Sequence, residues 1–508
     1  MPRISDATAM PGERAASAAT AQPGLFSRGY LWITIGSCAL VFLGAFESLA
    51  VTTIMPVVSA DLGGASLYAL AFAGPLATGV IGMVIAGNWS DRTGPVIPLY
   101  TSSVLFAIGL LIAGTAVTMP MLVLGRLVQG LGTGAVTVAL YVVVARVYPA
   151  RLHPSIFAGF AAAWVIPSLV GPFAAGIVTE VFSWHWVFLG VVALVGIATA
   201  MVAPALRGLS DANPDGDSAA SAVASHADAT HTEATHTIAS ETREREHSHE
   251  RHPHGQEASA PWAFGRIAWA VLAALAVLAL SLVSEVDGIG LPLAGVAAVI
   301  AIVAVRPLLP KGALLARRGL PSVILLRGLA ASAFFGAEVY LPYLLIEQYD
   351  FSPTLAGLAL TLGALAWAGA SWLQGRMSGT LGDATCTTIG SVLVLAAILS
   401  AFLTAFLGLP PALAIAGWVL GGGGMGLMYP RLSTLTLALS KPDAQGFNSS
   451  ALAIGDSLGS ALSLALTGVV FAGFLAVGLS FAGVFAFAGL IAVVAIAVAP
   501  RVAGPAAP

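Results

Sequence analysis

The sequence predicts an all-α, multi-pass membrane protein with fourteen transmembrane helices, ordered as six, a polar linker, a pair, and six more. Three observations predict it. The 508 residues are 58% hydrophobic and only 9% charged, against about 25% charged residues in soluble domains. The mean hydropathy is +0.92. Apolar segments near the roughly 20 residues that one bilayer crossing needs recur at 30–57, 67–88, 96–117, 120–146, 155–180, 185–206, 264–283, 289–306, 320–347, 353–379, 386–408, 411–439, 446–473 and 476–499. The net charge of −3 says little, because the charges are segregated. No basic patch of the kind nucleic acid requires is present. The two cysteines, Cys38 and Cys386, lie in or beside apolar segments, which argues against a disulfide framework.

Residues 1–29 are rich in Ala, Ser, Pro and Gly and hold no apolar core, so they read as a disordered cytoplasmic tail and not as a cleavable signal peptide. The first six helices occupy 30–206. The linker, 207–262, is the one long polar segment and holds seven of the nine histidines, from His226 to His254. Its low hydrophobicity and mixed charge cannot support a core. The cluster His247, His249, His252 and His254 suggests metal binding as an alternative, but the plain reading is a flexible loop, with no metal and no cofactor. The inserted pair occupies 263–307 and the last six helices 320–499.

Orientation follows from arginine and lysine. With the N-terminus cytoplasmic, the inner loops hold Arg92, Arg146, Arg151, Arg207, Arg306, Lys311, Arg317, Arg318, Arg376 and Lys441. The outer loops then hold no arginine or lysine, but do hold Asp61, Glu180, Glu285, Asp287 and Asp350. Both termini are expected inside. Arginine outnumbers lysine 19 to 2, a bias that fits a GC-rich bacterial genome and a bacterial plasma membrane.

Three acids lie at membrane depth. Glu47 interrupts the apolar stretch Leu31 to Pro56, and Glu338 lies at a similar depth in Leu320 to Ile346. Their settings match: Gly44-Ala45-Phe46-Glu47 and Phe335-Gly336-Ala337-Glu338. A carboxyl in that position is expensive and marks a functional site by default. Two of them, matched between halves, point to proton coupling. Asp456 lies between Gly455 and Gly459, as a further proton or cation site or as a hydrogen-bond partner for backbone. Arg126, inside an apolar helix, needs an acidic partner, and Glu47 lies at a compatible depth.

Several motifs resemble the major facilitator superfamily. The loop Gly87-Asn88-Trp89-Ser90-Asp91-Arg92-Thr93-Gly94-Pro95 is similar to that superfamily's signature after the second helix, although Pro95 and Val96 replace the usual basic residues. Here Gly87 would allow close helix approach, Gly94 a tight turn, and Asp91 would accept hydrogen bonds from the helix opening near Gly446-Phe447-Asn448-Ser449. A partial echo, Gly379-Thr380-Leu381-Gly382-Asp383, falls at the equivalent place in the second half. Arg126-Leu127-Val128-Gln129-Gly130 resembles the fourth-helix motif. Pro167-Ser168-Leu169-Val170-Gly171-Pro172-Phe173-Ala174-Ala175-Gly176 resembles the fifth-helix motif associated with antiporters, where glycine and proline would shape a gate or form a structural kink. Trp184-His185-Trp186 reads as an interfacial anchor. The extra helix pair resembles the fourteen-helix drug:proton antiporters, in which an acid stands nine residues before a proline in the first helix, as Glu47 stands before Pro56.

The resemblance implies the major facilitator fold, two six-helix bundles plus the inserted pair, and a transporter rather than an enzyme. It implies proton-coupled efflux of an amphipathic or cationic small molecule, with protons and membrane lipids as the other partners and a monomer as the working unit. The coupling set is Glu47, Glu338, Asp456 and Arg126; the gating set is Gly87, Asp91, Arg92, Gly94, Pro167, Gly171, Pro172 and Gly176. Tyr141, Phe334, Tyr340, Tyr343 and Tyr429 are candidate cavity aromatics. The run Gly421 to Gly426 lacks the lysine and Ser/Thr of a phosphate loop, so it reads as a closely packed or flexible helix and not a nucleotide site. A lipid or metabolite transporter of the same fold is the alternative. A non-transporting scaffold or sensor is the alternative of another class; it would depend on residues 212–258 and not on Glu47.

Overall fold

The computed structural model describes residues 24–27, 29–149, 152–211, 264–283, 290–376, 381–441 and 445–503. The histidine cluster, Arg151, Glu285, Asp287, Gly379 and Thr380 lie outside them. Among the described residues the chain is helical and has no strand. In a bilayer that is the expected outcome, because a helix satisfies its own backbone where no water can.

The first six helices are α1 (Leu31–Asp61), α2 (Tyr68–Thr93), α3 (Val96–Gly114), α4 (Met119–Val147), α5 (His153–Val181) and α6 (His185–Asp211). The pair that follows is α7 (Phe264–Leu282) and α8 (Gly290–Val305). Then come α9 (Leu320–Glu338), α10 (Tyr340–Tyr349), α11 (Pro353–Arg376), α12 (Asp383–Leu407), α13 (Pro411–Ala438), α14 (Gln445–Gly473) and α15 (Ser480–Val498). Helices α9 and α10 share one apolar span, Leu320–Tyr349, interrupted at Val339. Thirteen helices among the described residues are long and apolar enough to cross a membrane. The segment expected at 289–306 is shorter, with its apolar helix over Pro292–Leu308.

Turn chemistry sets the ends. Gly94 stops α2 at φ +82°, a value that side chains other than glycine rarely adopt. Thr118 caps α4 by accepting from the Met121 N–H at 3.4 Å, with Pro120 in the first turn.

Packing repeats between the first and last six helices. Helix α1 packs on α5 and α6, α2 on α4, and α3 on α4 and α6. In the same pattern α9 packs on α14 and α15, α11 on α13, and α12 on α13 and α15. Small residues make the tightest crossings, as expected where association depends on backbone approach. On α4, Gly130 and Gly134 lie against the backbone of Pro75 and Gly79 of α2, with no room for a Cβ. On α13, Gly422 and Gly426 lie in the same way against Gly363 and Trp367 of α11, so the glycine run is a packing surface.

The two sets of six meet at the end of the bundle where α1 gives way to α2. There Gly176 of α5 lies against Thr354 and Gly357 of α11 against Pro172, while Gly468 of α14 faces Ala69 of α2. Helix α7 packs on both α2 and α14: Val80, Ala270, Ala273, Ile454 and Leu458 share one apolar cluster.

Candidate functional site

Glu47 and Arg126 form an ion pair between α1 and α4, each side chain only 5% exposed. The guanidinium makes three hydrogen bonds. One Nη donates to Glu47 and to the Gln129 Oε1 at 2.7 Å, and the Nε donates to the Ala71 carbonyl of α2 at 3.1 Å. Gln129 follows Arg126 by three residues and so shares its helix face. Gln129 is also buried; sequence reading named it only as part of a motif. Three helices thus converge on one closed polar centre in the apolar layer.

Glu338 occupies the matching place on α9, but its surroundings differ. No arginine or lysine pairs with it among the described residues. It faces the Trp418 indole of α13, whose buried N–H makes no formed hydrogen bond. Trp418 stands seven residues after the first residue of α13, as Arg126 stands seven after the first residue of α4. An indole therefore takes the place of the guanidinium, and the equivalence of the two glutamates ends there. Next to Glu338, at the helix break, the Val339 carbonyl accepts from the Tyr68 hydroxyl of α2 at 3.0 Å.

Asp456 of α14 is held by Arg327 of α9, with two contacts at 3.2 and 3.4 Å. Arg327 also donates to the Tyr429 carbonyl at 3.2 Å and to the Ser433 hydroxyl at 3.3 Å. Its guanidinium stacks 3.5 Å from the Tyr429 ring centre, and the Tyr429 hydroxyl donates to Asp456 at 2.8 Å. The reading of Asp456 as a backbone partner near paired glycines gives way to this arginine–tyrosine network. Arg327 escaped the sequence reading, although a lone arginine in an apolar span signals a partner on another helix. Arg431 escaped it too; it pairs with Asp383, the acid of the partial loop echo.

The gating candidates divide. Gly94 holds its positive φ beside Arg146, which donates to the Ser90 carbonyl at 3.2 Å and so closes the end of α2. At Gly87, a Cβ would meet Val138 at 3.5 Å, an ordinary contact, so close helix approach does not require this glycine here. Asp91 is exposed and among the described residues makes no hydrogen bond to the start of α14; Arg92 is half-buried. Pro167, Gly171, Pro172 and Gly176 lie within the continuous helix α5. Gly171 faces Phe46 of α1, whereas Pro172 and Gly176 touch α11 at the closed end of the bundle. There the Glu180 carboxylate accepts from the Thr354 N–H at 2.9 Å.

The candidate aromatics also divide. Tyr340 and Phe334 are buried packing residues; Tyr343 contacts Tyr68 across the closed end. Tyr141 is 48% exposed against Phe157 and Phe160. Trp184 does more than anchor: it is buried, stacks on His185, and donates to Asp61 at 2.9 Å, pinning the end of α1. Trp186 is exposed, as an interfacial anchor should be.

Comparison with known proteins agrees with this architecture. Among curated proteins, the chain is 36% identical over 149 residues to an uncharacterized transporter of Schizosaccharomyces pombe, covering 29% of this chain and 25% of that one. It is 29% identical over 157 residues to multidrug resistance protein 3 of Bacillus subtilis, covering 31% of each. The matched region thus spans about a third or less of these relatives' length. Among solved structures, a peptide transporter in complex with sulfate aligns with a TM-score of 0.59 at 14% identity, covering 92% of this chain and 94% of that one. A D-xylose–proton symporter aligns at 0.58 and 13% identity, covering 91% and 96%. At these identities the likeness is one of fold. Residues 37–464 match the sequence profile of the Major Facilitator Superfamily, and the chain belongs to that superfamily.

Proposed function

We propose that this transporter is a proton-coupled exporter of amphipathic small molecules, of the fourteen-helix drug:proton antiporter type, in a plasma membrane with both termini cytoplasmic. The carrying observation is the closed centre of Glu47, Arg126 and Gln129, buried where three spanning helices meet. An ionisable pair in the membrane interior has no structural economy over apolar packing, and in transporters such groups mark proton and substrate paths. Relatives carry both fungal and bacterial names, and one bacterial relative is called a multidrug resistance protein. With the N-terminus inside, the end closed by Tyr68, Gly176, Glu180 and Thr354 is the outer one, and the conformation faces inward. Export then begins with cargo loading from the cytoplasmic side or inner leaflet, and protons arriving from outside reset the carboxyl groups.

The test is proton release from purified protein when a lipophilic cation such as ethidium is added, in wild type and Glu47→Gln. Release from wild type and not from the variant supports exchange at Glu47. Equal release from both removes Glu47 from the coupling step. A lipid or metabolite cargo is the second reading, favoured by α7, which covers the seam between α2 and α14 and so edits what the bilayer can present there. Changed lipid composition with unchanged drug tolerance on deletion would select it.

A further inference from the structure

We propose that the loop between α8 and α9 is a docking surface for anionic phospholipid of the cytoplasmic leaflet. Lys311, Arg317, Arg318 and Arg501 meet the phosphate headgroups, and Leu314 and Leu315 enter the interface beside them. This rests on the orientation adopted above, which puts the loop on the cytoplasmic side.

The loop is built. Gly312 and Gly319 turn the backbone at φ +87° and +83°, and Ala316 holds φ +48°, a value that side chains rarely adopt. Hydrogen bonds fix these turns. The Arg317 N–H donates to the Gly312 carbonyl at 3.3 Å, and the Ser322 hydroxyl donates to the Arg317 carbonyl at 2.7 Å. The Gly319 N–H donates to the Arg501 carbonyl at 2.9 Å, which brings the turn Ala499–Val502 to the same edge. Beneath the loop, Leu309 and Ala313 are buried with Ile324 and Ala451. The Arg317 stem crosses Gly312 so closely that a Cβ there would stand 2.5 Å from its Cδ. That lays the Arg317 side chain over the residue next to Lys311.

The charge is of one sign. Between Asp287 and Glu338 the chain holds no Asp or Glu, and none follows Asp456. Lys311, Arg317, Arg318 and Arg501 are exposed and pair with no carboxylate among the described residues. Asp383, on the helix whose Thr387 donates to the Ala499 carbonyl, is taken by Arg431. Apolar side chains stand among these cations: Leu315 is 73% exposed and Leu314 39%. Cations interleaved with leucines, at the ends of two apolar helices, fit a bilayer interface. There each Lys or Arg gains from anionic headgroups, and each leucine from the acyl boundary. An acidic peptide would match the cations and leave the leucines in water.

The experiment is native mass spectrometry of the full-length protein in detergent, with phosphatidylglycerol and phosphatidylcholine of matched chains at equal concentration. Wild type should retain phosphatidylglycerol in preference. Lys311→Gln and Arg317→Gln should each lower that retention about fivefold, while Arg376→Gln, at another inner loop, should change it less than about twofold. Leu315→Ser should lower it as well, because the acyl side of the contact is lost. Unchanged thermal unfolding shows that each variant is folded. No preference in wild type overturns the proposal, and so does an equal loss in Arg376→Gln, since any inner cation would then serve. Displacement of the lipid by inorganic phosphate at equal concentration would make this a free-anion site and overturns lipid docking. Ala503→Cys, with Cys38→Ser and Cys386→Ser, reports the side of the membrane through an impermeant thiol reagent. Reaction from outside intact cells overturns the orientation and with it the inner-leaflet partner. Reaction from the cytoplasmic side only, with no lipid preference, overturns this surface and leaves the orientation standing.

Discussion

Charge-neutral replacement of Glu47 should be more damaging than replacement of the whole pair. In Glu47→Gln, Arg126 keeps its contacts to Gln129 and the Ala71 carbonyl but loses its counter-charge at 4% exposure. Breaking one member of a buried pair costs about 3–5 kcal/mol, because a charge is left uncompensated. The full coulombic attraction is far larger in a dry medium, but desolvation has already offset most of it. Arg126→Met should cost a similar amount, since it strands Glu47. The double variant Glu47→Gln with Arg126→Met removes both charges and should cost less than either single, leaving a coupling energy of about 3–5 kcal/mol or more. The assay is reversible unfolding in mixed detergent micelles, run as a double-mutant cycle with proton release measured alongside. Additive effects within about 0.5 kcal/mol would refute the claim that these residues form one closed unit.

Three other outcomes are expected. Gly134→Ala places a Cβ against the Gly79 backbone and should cost about 2 kcal/mol or more in thermal stability, whereas Gly87→Ala meets only Val138 at 3.5 Å and should unfold within a degree or two of wild type. Transport lost in Gly87→Ala despite that stability would place the need for this glycine in another conformation. Tyr68→Phe removes the donor to Val339, a loss of about 1 kcal/mol at the closed end; cysteine-reactive probes added from that side should label the cavity faster, and unchanged labelling would remove Tyr68 from the gate. Cysteines at Glu180 and Thr354, joined by a short thiol cross-linker, should stop transport reversibly, because these positions touch across the halves; undiminished transport after complete cross-linking would show that this end never opens.

The fold was legible because membrane helices announce themselves by length and polarity, and the deviation at Gly290–Val305 is one of extent. Glu47 and Arg126 were legible as a pair because each is a lone charge in an apolar helix at compatible depth. Arg327 is just as lone, yet it shares its apolar span with Glu338 eleven residues away, and eleven residues of helix separate two side chains by about 16 Å. They cannot meet, so Arg327 needed a partner on another helix, and the sequence held it in Asp456. What no single sequence shows is helix rotation. That choice put Trp418, not a cation, in front of Glu338, and turned Asp91 towards solvent instead of towards α14.

The distribution of charge also bears on how the protein can move. Glu47 with Arg126, Arg327 with Asp456, and Arg431 with Asp383 each join helices within one set of six. None spans the two sets. The polar contacts that span them at the closed end among the described residues are a tyrosine hydroxyl on a carbonyl and a carboxylate on one exposed N–H, beside the packing of Tyr68 on Tyr340 and Tyr343 and of glycines against backbone. Each such hydrogen bond contributes about 1 kcal/mol net, so opening that end separates contacts of modest strength while every buried ion pair travels intact with its own helices. Rocking of one half against the other is then compatible with charges in the membrane, because no step exposes an unpaired one. The exception is Glu338, which has no arginine or lysine partner among the described residues and sits one residue from the Val339 carbonyl that Tyr68 holds across the halves. A change of charge at Glu338 is therefore felt at the gate, through one residue of interrupted helix, more directly than a change at any of the paired acids.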